Sequence, residues 1–513
     1  MDSIIKAVSE AMPHYNKFLL KDFTKKEING SIEFISVVFS EAVKQFDGLI
    51  KYKKYKILSP EERIEFELRP KQDSGVRIAV SELSLVDFVF EFEGREFHTH
   101  LYLPYSKNDA IVIKNTRYMI QRTIVEKVFS KTNEGIAARV IRSPIRFGRT
   151  KIFRVVSAVD ERTDHGLIIT ADIHRRKRLN KKNTPNTTIL HYLLCKFGYL
   201  GTLARFGFNP EDFKFVPNIG ETIDYDYFVA RKKQKSPELY LRIKRSSLED
   251  PNHMKFVTNL LYLLTAYDRH NIQSLYEKTG AIYRIYMGRI THGDTHTETQ
   301  YKSHADTHIA SLDTYLDPIT RDRLIRFGVQ VDDIYDLLQY VFFEIDRIHT
   351  NATHSNLYYK RIDIMHGILI QTIGSRIFEK FYNARRDQKK LTDKDVTSIL
   401  QFSPMLIQNI YKARNVTSEV SAYGDNWLTS FGISKTRQSG LNQQRLTPQA
   451  PEHRFHPSIA VVETLISFSG QNPGISGAIN PFLQITDDGD IDIDNMPYHT
   501  DIDPLIEVLP YKE

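Results

Sequence analysis

The sequence predicts an α+β protein built from several domains, and three observations carry that expectation. At 513 residues the chain is longer than one hydrophobic core usually serves, because compact domains run about 100–200 residues. Its first third reads as helix for about forty residues and as strand thereafter. Far downstream, Ile362, Met365, Ile368, Leu369, Thr372, Ile373, Ile377 and Phe381 fall on one stripe at helical spacing and predict an amphipathic core helix.

The strand signals begin at Arg77-Ile78-Ala79-Val80 and continue over 85–92, where apolar residues alternate or run together. Glu93-Gly94 predicts a turn into a second strand over 97–103. Ile111-Val112-Ile113 before Lys114-Asn115 repeats the strand-and-turn signal. Residues 136–350 mix both element types and hold the densest positive charge. His174-Arg175-Arg176-Lys177-Arg178 with Lys181-Lys182 forms one basic run, and Arg231-Lys232-Lys233, Lys235 and Arg242 form a looser one. Such runs are solvated loops in the plainest account and phosphate-contacting edges in the functional one. From Val416 onward Gly, Ser, Asn, Gln and Pro rise, and loop-rich ground on a rigid scaffold is where binding residues concentrate.

Composition narrows the class. Hydrophobic residues make up 41% and charged residues 26%, which is globular rather than disordered usage. Lys and Arg outnumber Asp and Glu, 70 to 63, a modest excess of +7 that permits a nucleic-acid partner without requiring one. Cys195 is the single cysteine, so no intramolecular disulfide, zinc finger or iron–sulfur site is expected, and a reducing interior is the natural compartment. Met1-Asp2-Ser3 opens no basic and apolar leader. No membrane span is expected either: the charge-free stretch 464–485 is broken by Asn-Pro and Ser-Gly, and the apolar run 256–267 is too short.

Three constellations invite a chemical reading. His292, His296, His304 and His308 make two H-x-x-x-H pairs, but no Glu follows a leading His and Gly293 interrupts the segment, so a polar surface excursion is expected rather than a metal site. Asp487, Asp488, Asp490, Asp492 and Asp494 crowd together; alternate acids on a strand share a face and suit a divalent ion, whereas Asp488-Gly489 between 483–485 and 491–493 predicts an acidic hairpin. Tyr423-Gly424-Asp425-Asn426 has the Gly-Asp-Asn letters of the metal-binding turn in palm-type viral polymerases, although residues 391–414 before it read as helix instead of the required strand.

A wider resemblance covers most of the chain and is most specific over 420–500. Thr353-His354-Ser355-Asn356-Leu357-Tyr358-Tyr359-Lys360-Arg361 is similar, at its Lys-Arg end, to the run that enters a helix in the N-terminal half of the β subunit of multisubunit DNA-dependent RNA polymerases. Asp425-Asn426-Trp427-Leu428, Ile433-Ser434-Lys435-Thr436-Arg437-Gln438-Ser439-Gly440-Leu441 and Arg445-Leu446-Thr447 resemble that family's fork-loop and rifampicin-pocket segment. Asn442-Gln443-Gln444-Arg445 replaces its Gly-Pro-Gly-Gly turn. His456-Pro457-Ser458 looks like its H-P-(S/T), and Gly470-Gln471-Asn472-Pro473-Gly474 like its E-G-P-N-x-G, with Ser469 in place of the acid. A two-stranded hairpin and then Pro-Tyr, here Pro497-Tyr498, follow in the family, so the acid cluster resembles a hairpin more than a metal triad. Ala110-Ile111-Val112-Ile113-Lys114-Asn115 resembles an upstream strand and turn.

The resemblance implies a protrusion-like domain in two parts, 1–135 and 351–415, interrupted by a lobe-like domain over 136–350. A loop-rich fork-like region over 416–513 would lead to a barrel on another chain, as in the divided polymerases of giant bacteriophages. The family's N-A-D-F-D-G-D magnesium motif is absent from the sequence, so no catalytic residue and no metal ligand are assigned here, and Mg²⁺ is expected on a partner chain. Lys435, Arg437, Asn442, Gln443, Arg445 and Asn472 are the implied contacts to nucleic acid, with Asp425, Ser439 and His456 shaping the fork. Arg437 has the planar, permanently charged head that grips phosphate, or else it pairs with Asp425. Implied partners are a C-terminal β-like chain, β′-like chains, a specificity factor, template DNA and nascent RNA, in the cytoplasm of an infected bacterium, with carriage in the virion as the alternative. A self-contained palm polymerase using Asp425 and a non-enzymatic nucleic-acid-binding phage protein stay open as alternatives.

Overall fold

The computed structural model describes residues 27–68, 83–105, 111–113, 115–120, 123–141, 144–159, 162–173, 187–233, 236–264, 280–292, 296–352, 356–363, 365–369, 373–386, 391–403, 417–420, 435–438, 463–467, 476–479, 483–486 and 489–492. Contacts divide the chain into two units, Met1–Lys127 with Thr353–Glu513, and Val128–Ala352. The α+β class holds in both.

The first unit opens with helices α1 (Ser31–Val43) and α2 (Pro60–Leu68) and strands β1 (Ile50–Ile57), β2 (Leu83–Phe92), β3 (Arg95–Pro104), β4 (Ile111–Ile113), β5 (Thr116–Ile120) and β6 (Thr123–Glu126). Strands β1, β2 and β3 form an antiparallel sheet, with β2 and β3 paired from Leu83↔Pro104 to Phe92↔Arg95. Their hairpin turns on Glu93 and Gly94, both at positive φ (50° and 77°), the twist that lets two residues reverse a strand. Helix α1 packs on this sheet through Phe39, whose ring lies 5.0 Å from Phe88 and 5.2 Å from Phe90. Asn115 at φ 66° turns β4 into β5. The strand expected over 77–80 lies outside the described residues.

The second unit carries strands β7 (Phe129–Thr132), β8 (Gly135–Ala138), β9 (Ile145–Val156), β10 (Thr163–Asp172), β11 (Thr187–Thr188), β12 (Phe213–Val216), β13 (Tyr225–Lys233) and β14 (Ser236–Lys244). Its helices are α3 (Ile189–Arg205), α4 (Pro251–Leu264), α5 (Ala281–His292), α6 (Glu298–Leu312), α7 (Pro318–Arg326) and α8 (Ile334–Asn351). Five strands form one antiparallel sheet in the order β11-β10-β9-β8-β7, and three form another, β12-β14-β13. The register slips between Ile168 and Thr170 on β10, and buried Asn259 of α4 mends the gap. Its Oδ1 accepts from Ile169 N at 2.9 Å and its Nδ2 donates to Leu167 O at 3.2 Å, so a side chain replaces the missing ladder bonds. Residues 129–138 belong to this sheet through β8–β9 pairing, and the division falls after Lys127.

The first unit resumes with β15 (Lys360–Asp363), α9 (Met365–Leu369), α10 (Ser375–Arg386) and α11 (Asp393–Leu400), then β16 (Thr417–Val420), β17 (Lys435–Gln438), β18 (Glu463–Ser467) and β19 (Ser476–Ile479). The single helix predicted over 362–381 is corrected here. Ile362 lies on a strand, Met365, Ile368 and Leu369 lie on α9, and Ile377 and Phe381 lie on α10. The stripe's described apolar members are nevertheless buried, Ile362, Leu369, Ile373, Ile377 and Phe381 completely so. A strand buried on both faces has no period of its own to betray it. The described strands after residue 416 join this unit: β16 pairs with β5, and β17 with β6. Among the described residues no helix is long and apolar enough to cross a membrane.

Candidate nucleic-acid interface

The five strands β15-β6-β17-β19-β18 form one sheet, drawing on segments spread over more than three hundred residues of chain. Its base is β15, where Lys360, Arg361, Ile362 and Asp363 are all buried. Buried charge is tolerated only when paired, and each charge here has its partner. Lys360 stands directly across from Glu126 of β6, with Nζ 3.3 Å from Oε1. Arg361 and Asp363, two apart and so on one face of the strand, join at 2.8 Å. Glu27 accepts from the Met365 amide that opens α9. Gly367 leaves room for the second pair: a Cβ there would lie 2.8 and 2.9 Å from the two Arg361 Nη atoms and closer still to Asp363 Oδ1.

The acidic segment closes the outer edge of β15. Ile485 bridges Ile491, Asp492 N donates to Gln484 O at 3.0 Å, and Gly489 takes φ 86° at the turn. This is the hairpin that Asp488-Gly489 predicts. It docks by an Arg361–Asp490 bridge and by Ile362 N donating to Gly489 O at 2.8 Å, so the strand edge is covered. Lys127 reaches Asp490 at 3.8 Å and lies 5.7 Å from the centre of the Tyr358 ring. Sequence reasoning quoted Lys360 and Arg361 but missed Glu27, Glu126, Lys127, Asp363 and Gly367. The charged pair two apart within Lys-Arg-Ile-Asp was the available signal for Asp363.

Strand β17 contains Lys435 and Arg437 and occupies the middle of the sheet. Arg437 pairs in parallel with Thr123 of β6 and antiparallel with Ser476 of β19. Asp425, Ser439, Asn442, Gln443, Arg445, His456 and Asn472 lie outside the described residues, as does the Tyr423-Gly424-Asp425-Asn426 turn. The basic run at 174–182 lies outside them too. Arg242 of the looser run stacks on Tyr225, 4.4 Å from the ring centre.

The histidine segment departs from expectation. Residues 281–292 and 298–312 are two packed helices, not a polar excursion, because Thr297 and Gln300 form a capping box that starts α6 afresh. His296 and His304 bring their rings to 5.6 Å, whereas His308 faces Tyr192 and Asp306 binds Arg284 at 2.8 Å. Among the described residues no three His, Cys, Asp or Glu side chains gather as a metal site.

A family model described as the non-virion RNA polymerase subunit matches residues 2–509, nearly the whole chain. The chain belongs to that family. No curated protein matches it. As a non-virion RNA polymerase subunit, it is one part of a transcribing enzyme, and other polymerase subunits are its partners. In this subunit Lys360 and Arg361 hold the sheet together, since Glu126 and Asp363 neutralise them below the surface. Neither cation is free to meet a phosphate.

Proposed function

We propose that this subunit is the β-like N-terminal part of a multisubunit DNA-dependent RNA polymerase of bacteriophage type. It shapes the channel for DNA and the RNA–DNA hybrid, and the catalytic Mg²⁺ sits on acids of a partner chain. The observation that carries this reading is the five-stranded sheet. It gathers Lys360–Asp363, Lys435–Gln438 and Ser476–Ile479, which belong to or adjoin the segments singled out by their likeness to the β subunit. The first unit then corresponds to the protrusion and fork, and the second to the lobe. The chain's whole positive excess lies between Val128 and Ala352, which suits a lobe that holds DNA by its phosphates. Partners on this reading are a C-terminal β-like chain, β′-like chains, a specificity factor, template and transcript. The family's non-virion description favours the infected cell over the particle as its place of work.

Reconstitution tests the reading directly. The isolated chain is expected to extend no primer, and the enzyme assembled with its partner subunits is expected to transcribe. Asp490→Asn with Asp492→Asn should leave Mg²⁺-dependent synthesis within about twofold of wild type, because those acids build a hairpin. Primer extension by the chain alone, lost on Asp425→Asn, would establish a palm polymerase instead.

Arg437→Ala should leave assembly intact yet lower elongation, with the defect deepening as salt rises, because phosphate contacts weaken as counterions compete. Arg437→Lys keeps the charge but loses the planar fork, so it separates bidentate contact from a point charge. Wild-type elongation by Arg437→Ala throughout a salt series would remove this residue from the interface.

A further inference from the structure

Arg149 of β9, Lys255 of α4 and Asp346 of α8 meet at the mouth of a cleft in the second unit. One Asp346 carboxylate serves both cations, with Arg149 Nη2 at 3.0 Å from Oδ1 and Lys255 Nζ at 3.1 Å from Oδ2. Arg162, also lining the cleft, donates to Asp164 Oδ2 at 3.2 Å. One Asp346 carboxylate therefore faces two cations, and the surplus positive charge lies with Arg149 and Lys255. The Arg149 side chain is 24% exposed, and its Nε is shielded from solvent without an acceptor among the described residues. His349, one turn beyond Asp346, is held below the usual imidazole range by burial first and then by Arg149 and Lys131. The local potential is positive despite Asp346.

The cleft has a volume of about 440 Å³, more than a bare phosphate fills and within the range of small-molecule sites. Leu167, Ile169, Pro251, Met254 and Ile345 also line the cleft and give apolar surface on which a flat ring can rest. Gly166 lets β10 approach α4 closely, since a Cβ there would lie 2.6 Å from Thr258 side-chain atoms.

We propose that this cleft binds a nucleoside polyphosphate, with the phosphates on Arg149 and Lys255 and the base against Leu167, Met254 and Ile345. Arginine and lysine in ion pairs with a carboxylate exchange it readily for phosphate, whose oxygens accept charge-assisted bonds from both. Asp346 competes with the ligand for the two cations. His165 and Thr258 also line the cleft and are the polar side chains available to the base.

The test is equilibrium binding of ATP to the full chain by calorimetry at low salt, with inorganic phosphate and a single-stranded oligonucleotide as competitors. One saturable ATP site is expected, about tenfold or more weaker in Arg149→Met. Asp346→Asn frees both cations and is expected to tighten ATP severalfold, a gain that a purely structural role for the acid would not produce. Three results would overturn the site: no saturable ATP binding by wild type, unchanged ATP affinity in Asp346→Asn, or displacement of ATP by the oligonucleotide at lower concentration than by inorganic phosphate, which would mark a strand-binding surface instead. If Arg149→Met fails to fold, the Asp346→Asn arm still decides.

Discussion

Arg361→Ala is expected to cost the first unit about 3–5 kcal/mol, because it leaves the Asp363 carboxylate buried without its cation. The side chains of the pair are 6% and 8% exposed, so water cannot readily replace the guanidinium. Gly367→Ala should act through the same pair, since the added methyl would displace Arg361 and Asp363 without removing either charge. Replacing the two together, Arg361→Met with Asp363→Leu, should recover most of the loss, because an apolar pair of similar bulk leaves no stranded charge. Urea unfolding followed by far-ultraviolet circular dichroism reads these changes. The consequence reaches the function through β6. That strand pairs with β15 on one side and with Lys435–Gln438 on the other, so amide exchange at 123–126 and 435–438 should rise together in Arg361→Ala. Wild-type midpoints in both single variants would show that the pair contributes nothing to the sheet.

Local signals in the sequence were legible where neighbours in the chain are neighbours in space. The β2–β3 hairpin follows from alternation around Glu93-Gly94, and the acidic hairpin from Asp488-Gly489, because each needs only its own turn. The stripe from Ile362 to Phe381 misled because burial on all sides looks the same in a strand and a helix, and only the β6 partner distinguishes them. Lys360 and Glu126 stand 234 residues apart, and no spacing rule links them. The cleft draws Arg149, Lys255 and Asp346 from a strand and two helices, so its charge arrangement exists only after folding. Asn259 reads as one of several polar residues in its helix, and its purpose appears only beside the irregular register of β10.

Acid should weaken the second unit through His191, by about 3 kcal/mol between pH 7 and pH 4. The ring is buried in α3, its Nε2–H donates to the Tyr283 carbonyl at 2.8 Å, and burial pushes its pKa down from 6.5 to about 4 against the opposing pull of that bond. Unfolded, the imidazole takes its proton near pH 6.5; folded, it resists until about 4. Between those values the unfolded chain binds more protons, so stability is fully present above the window and falls as pH drops through it. His349, also held low, acts in the same sense, whereas Asp317, its carboxyl raised by burial, acts in the opposite sense at the acid end. His191→Gln keeps an N–H for the Tyr283 carbonyl and removes the titration, so the difference between wild type and this variant cancels the other groups. Measured by urea unfolding in far-ultraviolet circular dichroism at several pH values, that difference should change steadily from pH 7 to pH 4, with the wild type losing more on acidification. A difference that stays level would mean that the His191 ring takes up its proton equally well in the folded chain.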